Sequence, residues 1–267
     1  MSKITKLLQL KDYITLTGTT LGLIAVMIVT IGGRALISLG FFLLAFTFGT
    51  DLLDGYVARK TGTVNEIGKE LDSLNDSLTF GIAPAVLSFQ AFRMGTIYDY
   101  FLIFACAVFA LGAILRLARF NISTAKGYTG IPTPLTGLAI LAYFYANYFY
   151  GVASTEMGGT GEFPFFSHIL IIIVMLFLAW SNITIHIVFE KEKDKKVYIT
   201  FMVFAPLCPI FAILGILNPN SFIATISSIC FFVFVFLILG YIIISFMRTQ
   251  LRTRKRKKSQ QDQLNME

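Results

Sequence analysis

Four aspartates between residues 51 and 76 are the first group of side chains whose type and spacing could do chemistry. They are Asp51, Asp54, Asp72 and Asp76. Carboxylate oxygens with no His or Cys nearby favour hard cations such as Mg²⁺ or Mn²⁺. Four like charges in one site need a counter-charge, so we expect two such ions. A pair of divalent ions can clamp phosphate oxygens and stabilise in-line displacement at phosphorus.

Two helical stripes carry these aspartates together with small residues and one arginine. The first stripe, at i, i+3, i+4, i+7 and i+8, consists of Asp51, Asp54, Gly55, Ala58 and Arg59. The second stripe has a spacing of four and consists of Gly68, Asp72 and Asp76. A turn at residues 60–63 and a capping box at residues 63–66 would make the two helices antiparallel neighbours. The four carboxylates would then converge just inside the cytoplasmic surface.

The rest of this segment has a functional interpretation and a structural one. The small residues of both stripes would leave space for a bulky ligand against the backbone, and Arg59 is a fixed cation suited to phosphate. In the alternative interpretation, the aspartates lie at helix ends and pair with Arg59, Lys60 and Lys69. The converging stripes favour the first, because helix-end charges need not share a face.

The composition requires a membrane environment for these elements. The 267 residues are 56% hydrophobic and only 14% charged, with a mean hydropathy of +0.74, which excludes soluble and disordered chains. The runs without charged residues are 13–33, 35–50, 77–92, 100–115, 127–155, 163–189 and 197–247. A turn at Pro219 divides the last run in two. The sequence therefore predicts an all-α polytopic membrane helix bundle of about eight transmembrane helices.

Basic residues alternate between the connections and predict the orientation. Of the 22 Lys and Arg residues, only Arg34 and Arg93 fall on one side, so the other side is predicted to be cytoplasmic and to hold both termini. We expect a multi-pass protein of the cell membrane with its site facing the cytoplasm. It would have one catalytic domain, 1–247, and a basic cytoplasmic tail, 248–267. The tail could bind anionic headgroups or simply anchor the topology. No nucleic-acid module is present, so no nucleic-acid partner is expected.

The eight spaced positions of the two stripes match the signature D-x2-D-G-x2-A-R-x8-G-x3-D-x3-D, and the chain resembles the CDP-alcohol phosphotransferases. These membrane enzymes move a phosphatidyl-type group from a CDP-linked lipid to an alcohol and release CMP. The resemblance implies that Asp51, Asp54 and Asp72 hold one metal ion and that Asp51, Asp72 and Asp76 hold the other. It also implies that Asp76 is the general base.

The same resemblance implies a binding site for the CDP-lipid. Gly55 and Arg59 would contact the CDP group, with Asn65 as an addition, while Ala58 and Gly68 would leave space for the lipid. Relatives commonly have Asn at the position of Gly18, so the contact made by that Asn is in question here.

The segments 72–85, 116–121 and 130–134 resemble the phosphatidylserine synthase branch and imply L-serine as the acceptor. A serine carboxylate could be gripped by an arginine of the fourth predicted helix. The candidate acceptor-binding residues are Arg116, Arg119, Asn121 and Lys126. Alternatives are a transferase of the same family that uses glycerol 3-phosphate or inositol phosphate, and an ion or proton transporter. By family analogy we also expect a homodimer.

Overall fold

The computed structural model of the chain describes residues 8–62, 66–122, 128–189, 213 and 220–264. Within these ranges the structure is helical apart from one pair of very short strands. Its elements in order are α1 (Leu10–Ile31), α2 (Arg34–Thr61), α3 (Glu66–Asp76), a π-helical segment (Ser77–Ile82), α4 (Ala83–Phe92), α5 (Tyr98–Ile122), β1 (Tyr128–Thr129), α6 (Thr133–Glu156), α7 (Phe165–Ile183), β2 (Val188–Phe189) and α8 (Ser221–Leu264).

Five of the described helices are long and apolar enough to cross a membrane. The spanning segments are Leu10–Ile31, Arg34–Thr61, Tyr98–Ile122, Phe165–Ile183 and Ser221–Arg254. The prediction of a helical membrane protein is therefore confirmed. The predicted span 77–92 is helical but consists of the π-helical segment and the ten-residue α4. Residues 197–212 and 214–219 of the last predicted run lie outside the described residues.

One local prediction is corrected by the strand pair. β1 and β2 are antiparallel, with Tyr128 opposite Phe189 and Thr129 opposite Val188. The predicted helical run 127–155 therefore begins later, at Thr133, and the run 163–189 ends earlier, at Ile183. Pro132 has an extended backbone before α6, and Thr184 has one after α7. The two ends can thus form a small ladder of two residues each.

Helix α6 forms the core of the bundle, and most of its residues are buried. Its aromatic side chains stack on neighbouring helices, as Phe144 does on Phe41 of α2 with ring centres 3.9 Å apart. Two of its tyrosines also donate hydrogen bonds to neighbouring helices. Tyr145 Oη donates to the backbone carbonyl oxygen of Ser38 at 3.0 Å, and Tyr143 Oη donates to that of Ser167 at 2.8 Å. Because a phenol buried in an apolar core needs a partner, these bonds fix α6 against both α2 and α7.

Side-chain hydrogen bonds join α1 and α5 to the short helix α3 at one end of the bundle. Thr19 of α1 donates to Asn75 Oδ1 of α3 at 3.0 Å. Asn121 Nδ2 near the end of α5 donates to Ser73 Oγ of α3 at 2.8 Å. The short helix α3 is thereby held on two sides, and this is the helix that carries the second half of the aspartate motif.

Candidate functional site: an acidic cluster beside a buried arginine

The carboxylates of Asp51 from α2 and of Asp72 and Asp76 from α3 converge at one point. One oxygen from each lies within 4.8 Å of the others. Asp51 comes from the last three turns of α2, whereas Asp72 and Asp76 are one turn apart on α3. The helical spacing read from the sequence thus brings three of the four predicted aspartates to one point.

Asp54 lies outside this group of three and has a different environment. Its side chain is only 6% exposed, and its Oδ2 accepts a hydrogen bond of 2.6 Å from Thr15 Oγ1 of α1. Such a short bond to a carboxylate is strong and fixes the side chain's rotamer. Asp54 is therefore held toward α1, while one of its carboxylate oxygens is not used by this bond.

The environment of the α3 aspartates disfavours their charged forms in the absence of a cation. Desolvation raises the pKa of Asp76 well above its ordinary value, and the charges of Asp51 and Asp72 raise it further, against an opposing effect of the Arg116 guanidinium. Asp72 opens toward the surface, yet desolvation also raises its pKa, with Lys11 opposing. Carboxylates arranged in this way are stabilised by a bound positive ion.

The donor atoms of the cluster fit a hard divalent cation. All three converging ligands are carboxylate oxygens, the donor type that Mg²⁺ and Mn²⁺ prefer. Asp76 Oδ1 is buried and accepts no hydrogen bond from any described residue. An oxygen of this kind is costly to leave without a partner. Among the described residues, none of the four aspartates forms a salt bridge with Arg59, Lys60 or Lys69, which weighs against the helix-end interpretation.

Arg59 lies one turn beyond Gly55 and folds back against it. A Cβ atom added at Gly55 would lie 3.4 Å from Arg59 Nη1, so the guanidinium rests on the glycine backbone. Ala58 is half-buried on the same helix, and Gly68 is buried on α3. Asn65, the remaining candidate for contact with the CDP group, lies outside the described residues. The arginine is exposed, as contact with a phosphate would require.

The first turns of α1 contribute residues that the sequence pattern did not single out. Lys11 is only 9% exposed, forms an ion pair with Asp12 at 3.5 Å, and is close enough to Asp72 to act on its charge. Thr15, one turn later, supplies the hydrogen bond to Asp54. The spacing of four puts Lys11 and Thr15 on one face of α1, but nothing in the sequence showed which helix this face would contact.

The structure gives a steric reason for glycine at position 18. A Cβ atom there would lie 2.4 Å from Thr50 Oγ1, a distance that Cβ atoms essentially never show. Thr50, which directly precedes Asp51, occupies the space that a larger side chain on α1 would need. The polar side chain of Asn75 also borders this position, at 3.4 Å from the added atom. Gly18 therefore faces polar side chains of α2 and α3.

The four candidate acceptor-binding residues have different environments. Arg116 is buried, with 9% exposure, and lies close enough to Asp76 to favour its charged form. Its Nη1 donates to Thr133 Oγ1 at 3.0 Å, and its guanidinium lies 5.7 Å from the centre of the Phe120 ring. Arg116 therefore brings a positive charge to the edge of the acidic cluster.

Arg119, one turn later, is bound to the backbone of neighbouring segments. Its Nη1 donates to the Ile183 oxygen at 2.6 Å, and its Nη2 donates to the oxygens of Thr129 and Asn182 at 2.9 and 3.2 Å. Asn121 bonds to Ser73, and its Oδ1 is buried without a hydrogen bond from any described residue. Lys126 lies outside the described residues.

Comparison with known proteins agrees with this arrangement. The family model of the CDP-alcohol phosphatidyltransferases matches residues 8–190, more than half of the chain, and this range includes all four aspartates. The chain belongs to this family. The family predicted from the eight spaced motif residues is therefore confirmed. The helices that carry the acidic cluster of this CDP-alcohol phosphatidyltransferase all lie inside the matched region.

Three similar relatives have more specific names. The chain is 38% identical over 143 residues to a CDP-diacylglycerol–serine O-phosphatidyltransferase of Methanocaldococcus jannaschii, covering 54% of this chain and 64% of the relative. It is 34% identical over 151 residues to an archaetidylserine synthase of Methanothermobacter thermautotrophicus, covering 55% and 62%. A Bacillus subtilis CDP-diacylglycerol–serine O-phosphatidyltransferase is 38% identical over 101 residues, covering 36% and 55%. The chain thus spans less than two thirds of the length of these relatives.

Proposed function

We propose that the protein transfers a phosphatidyl-type group from a CDP-linked lipid to the hydroxyl of L-serine and releases CMP. The observation that carries this proposal is the convergence of the Asp51, Asp72 and Asp76 carboxylates. The donor lipid would be CDP-diacylglycerol or CDP-archaeol, because the apolar helices accept either. The names of the relatives, two serine phosphatidyltransferases and an archaetidylserine synthase, support serine as the acceptor and a role in phospholipid biosynthesis.

Two Mg²⁺ or Mn²⁺ ions would be held by the four aspartates, the first by Asp51, Asp54 and Asp72 and the second by Asp51, Asp72 and Asp76. When bound, such ions neutralise diphosphate charge and stabilise the charge that develops during displacement at phosphorus. The three converging carboxylates support this ligand set. For Asp54, the support is the carboxylate oxygen that the bond from Thr15 does not use.

The protein's own groups would move the proton and hold the substrate. Asp76 would accept the proton of the serine hydroxyl, whose oxygen then forms a bond to the phosphorus that carries the lipid. The bond from that phosphorus to the CMP oxygen breaks, and CMP leaves with the electron pair. Arg59 would bind the phosphate oxygens, and the small residues Gly55, Ala58 and Gly68 would let the CDP group lie against the helices. Asn65 would add a contact to the same group.

The acceptor would lie between the aspartates and the end of α5. Arg116 would bind the serine carboxylate, because its buried guanidinium lies beside Asp76 and a planar fork of donors matches a carboxylate. The buried Oδ1 of Asn121 would accept a hydrogen bond from the serine ammonium group. Lys126 would contribute to the same pocket. Arg119 would act from further away, since both of its terminal nitrogens bond to backbone oxygens.

The membrane arrangement completes the proposal. The chain would cross the cell membrane eight times, with both termini and the acidic cluster on the cytoplasmic side. Residues 1–247 would form one catalytic domain, followed by the basic tail 248–267. The asymmetry of Lys and Arg between the connections supports this orientation. By analogy with the family, the protein would act as a homodimer.

The test is CMP release by the purified chain in detergent with Mg²⁺ or Mn²⁺. CDP-diacylglycerol and CDP-archaeol would each be combined separately with L-serine, glycerol 3-phosphate and inositol phosphate. We expect release with serine alone. Release only with a phosphorylated acceptor would keep the metal site and remove Arg116 from its role. No release with any pair would contradict the proposed transfer.

A further inference from the structure

The guanidinium of Arg116 is bonded to the side chain of Thr133, at the start of the next long helix. Thr133 Oγ1 accepts its bond of 3.0 Å from Nη1, and the two residues are separated by the end of α5 and the β1 segment. A guanidinium has a rigid planar fork of donors, so a fixed bond at one donor restrains the directions in which the others point. Thr133 therefore contributes to the direction in which Arg116 presents its donors near Asp76.

Thr133 is itself held in place by its surroundings. It is fully buried and is the first residue of α6, directly after Pro132, whose φ of −57° is set by its ring. Its carbonyl oxygen accepts a hydrogen bond of 3.0 Å from Thr136 Oγ1. The hydroxyl that meets Arg116 thus projects from the rigid start of the bundle's central helix and not from a free loop.

The chain before Thr133 is fixed by backbone bonds to the end of α7 and the segment after it. The Ile131 N–H donates to the Ser181 oxygen at 3.0 Å, and the Gly130 N–H donates to the Ile187 oxygen at 2.9 Å. Gly130 has a φ of +78°, and a Cβ atom there would lie 2.1 Å from the Asn182 oxygen. Only glycine permits this close approach.

Arg119 of α5 also holds the segment before Thr133 against the end of α7. Its three bonds join the Thr129 oxygen, just before Gly130, to the Asn182 and Ile183 oxygens at the end of α7. Arg116 and Arg119 are therefore linked through the segment between Thr129 and Thr133. Arg119 fixes the segment that leads to Thr133, and Thr133 bonds to Arg116.

From this geometry we infer that Thr133 is a positioning residue for the acceptor, which orients the Arg116 guanidinium toward the serine carboxylate. The inference rests on the proposed function. It assigns to Thr133 an effect on acceptor binding and no effect on binding of the CDP-lipid, whose contacts lie on α2 and α3.

The test measures the KM for L-serine at saturating CDP-lipid and the KM for CDP-lipid at saturating serine, together with kcat and the melting temperature. Thr133→Val removes the hydroxyl and keeps the shape, and we expect about a 10-fold rise in the serine KM, since a hydrogen bond to a charged group is lost. The CDP-lipid KM should stay unchanged. Thr133→Ser keeps the hydroxyl and should keep the serine KM of the unsubstituted chain. Thr133→Ala carries the same test if the valine variant does not fold.

The matched control is Thr47→Val. Thr47 is also fully buried, but its hydroxyl donates only within its own helix, to the Leu44 oxygen at 2.7 Å. This variant should leave the serine KM unchanged. In an Arg116→Lys background, Thr133→Val should add little to the rise, because both changes act through one group.

The outcomes separate this inference from the proposed function. Serine-dependent CMP release by the unsubstituted chain, with an unchanged serine KM in folded Thr133→Val, would overturn the positioning role alone. An equal rise in Thr133→Ser would also overturn it, because it would show an effect of packing and not of the hydroxyl. No serine-dependent release by the unsubstituted chain would overturn the proposed acceptor and this inference with it.

Discussion

The acidic side and the basic side of the site are built in different ways. The three converging aspartates come from two helices that follow each other in the chain, and helical spacing alone puts Asp72 and Asp76 on one face. The basic side combines α5 with the start of α6, the end of α7 and the β1 and β2 segments. Two arginines one turn apart there have different kinds of partner, a buried hydroxyl for Arg116 and backbone oxygens for Arg119.

The aspartate cluster and Arg119 show the difference between charges that lack a partner in the protein and charges that bond to its backbone. On the acidic side, like charges are gathered without salt bridges to the neighbouring cations Arg59, Lys60 and Lys69 of the described chain. Such an arrangement is unfavourable unless something else binds there. On the basic side, Arg119 bonds to three backbone oxygens, and this satisfies polar groups of the protein itself.

Removal of divalent ions should have the largest effect, because it disables the whole acidic side. With excess EDTA, CMP release should fall to the background rate, and added Mg²⁺ or Mn²⁺ should restore it. The measurement is CMP release before and after chelation, with the melting temperature followed in parallel. Full activity after exhaustive chelation would contradict the metal site. The Arg119→Ala variant should lose CMP release on chelation to the same extent, because Arg119 bonds to backbone oxygens and not to the aspartates.

Asp76→Asn should reduce kcat by roughly 10²–10⁴-fold, because the amide cannot accept the serine proton. The variant should fold, since the side chains have nearly the same shape and burial of the neutral amide is less costly than burial of the carboxylate. The measurement is the single-turnover rate of CMP formation, with size-exclusion chromatography as the check on folding. Near-normal turnover would remove Asp76 from the mechanism.

Arg116→Lys should raise the KM for serine by roughly 10- to 100-fold and leave the KM for CDP-lipid nearly unchanged. An ammonium group keeps the charge but cannot offer the planar pair of donors that a carboxylate matches. Steady-state kinetics with each substrate varied in turn checks this expectation. Equal changes in both KM values would indicate a general disturbance of the site and contradict a specific acceptor role.

Arg119→Ala should act mainly on stability, which makes it the matched contrast to Arg116→Lys. The partly buried oxygens of Thr129 and Asn182 would lose a donor at a cost of up to roughly 1–3 kcal/mol each, whereas the exposed Ile183 oxygen can bond to water. For a chain of this size, each 1 kcal/mol lowers the melting temperature by roughly 2–4 °C. Thermal unfolding followed by size exclusion should therefore show a clear decrease, with chemistry retained below it. A large loss of activity at an unchanged melting temperature would place Arg119 among the substrate contacts instead.

The aspartate motif made the acidic side largely predictable. Residue type and spacing indicated a shared site for Asp51, Asp72 and Asp76, because helical periodicity is a local property of the chain. The resemblance of the eight motif positions indicated the family, and the hard cation stays a prediction. The apolar runs likewise indicated a helical membrane protein. The interruption of the predicted span 77–92 by a π-helical segment was not visible, since the same apolar residues suit either form of helix.

Contacts between distant segments were decided only by the tertiary structure. The sequence could not show that Thr15 would bond to Asp54 or that Thr50 would lie against Gly18. It also could not show that Arg119 would bond to backbone oxygens while Arg116 meets Thr133. Each of these contacts depends on which helices pack together and at what depth. Charge and spacing determined which residues could form the site, and packing of the helices determined which of them face it.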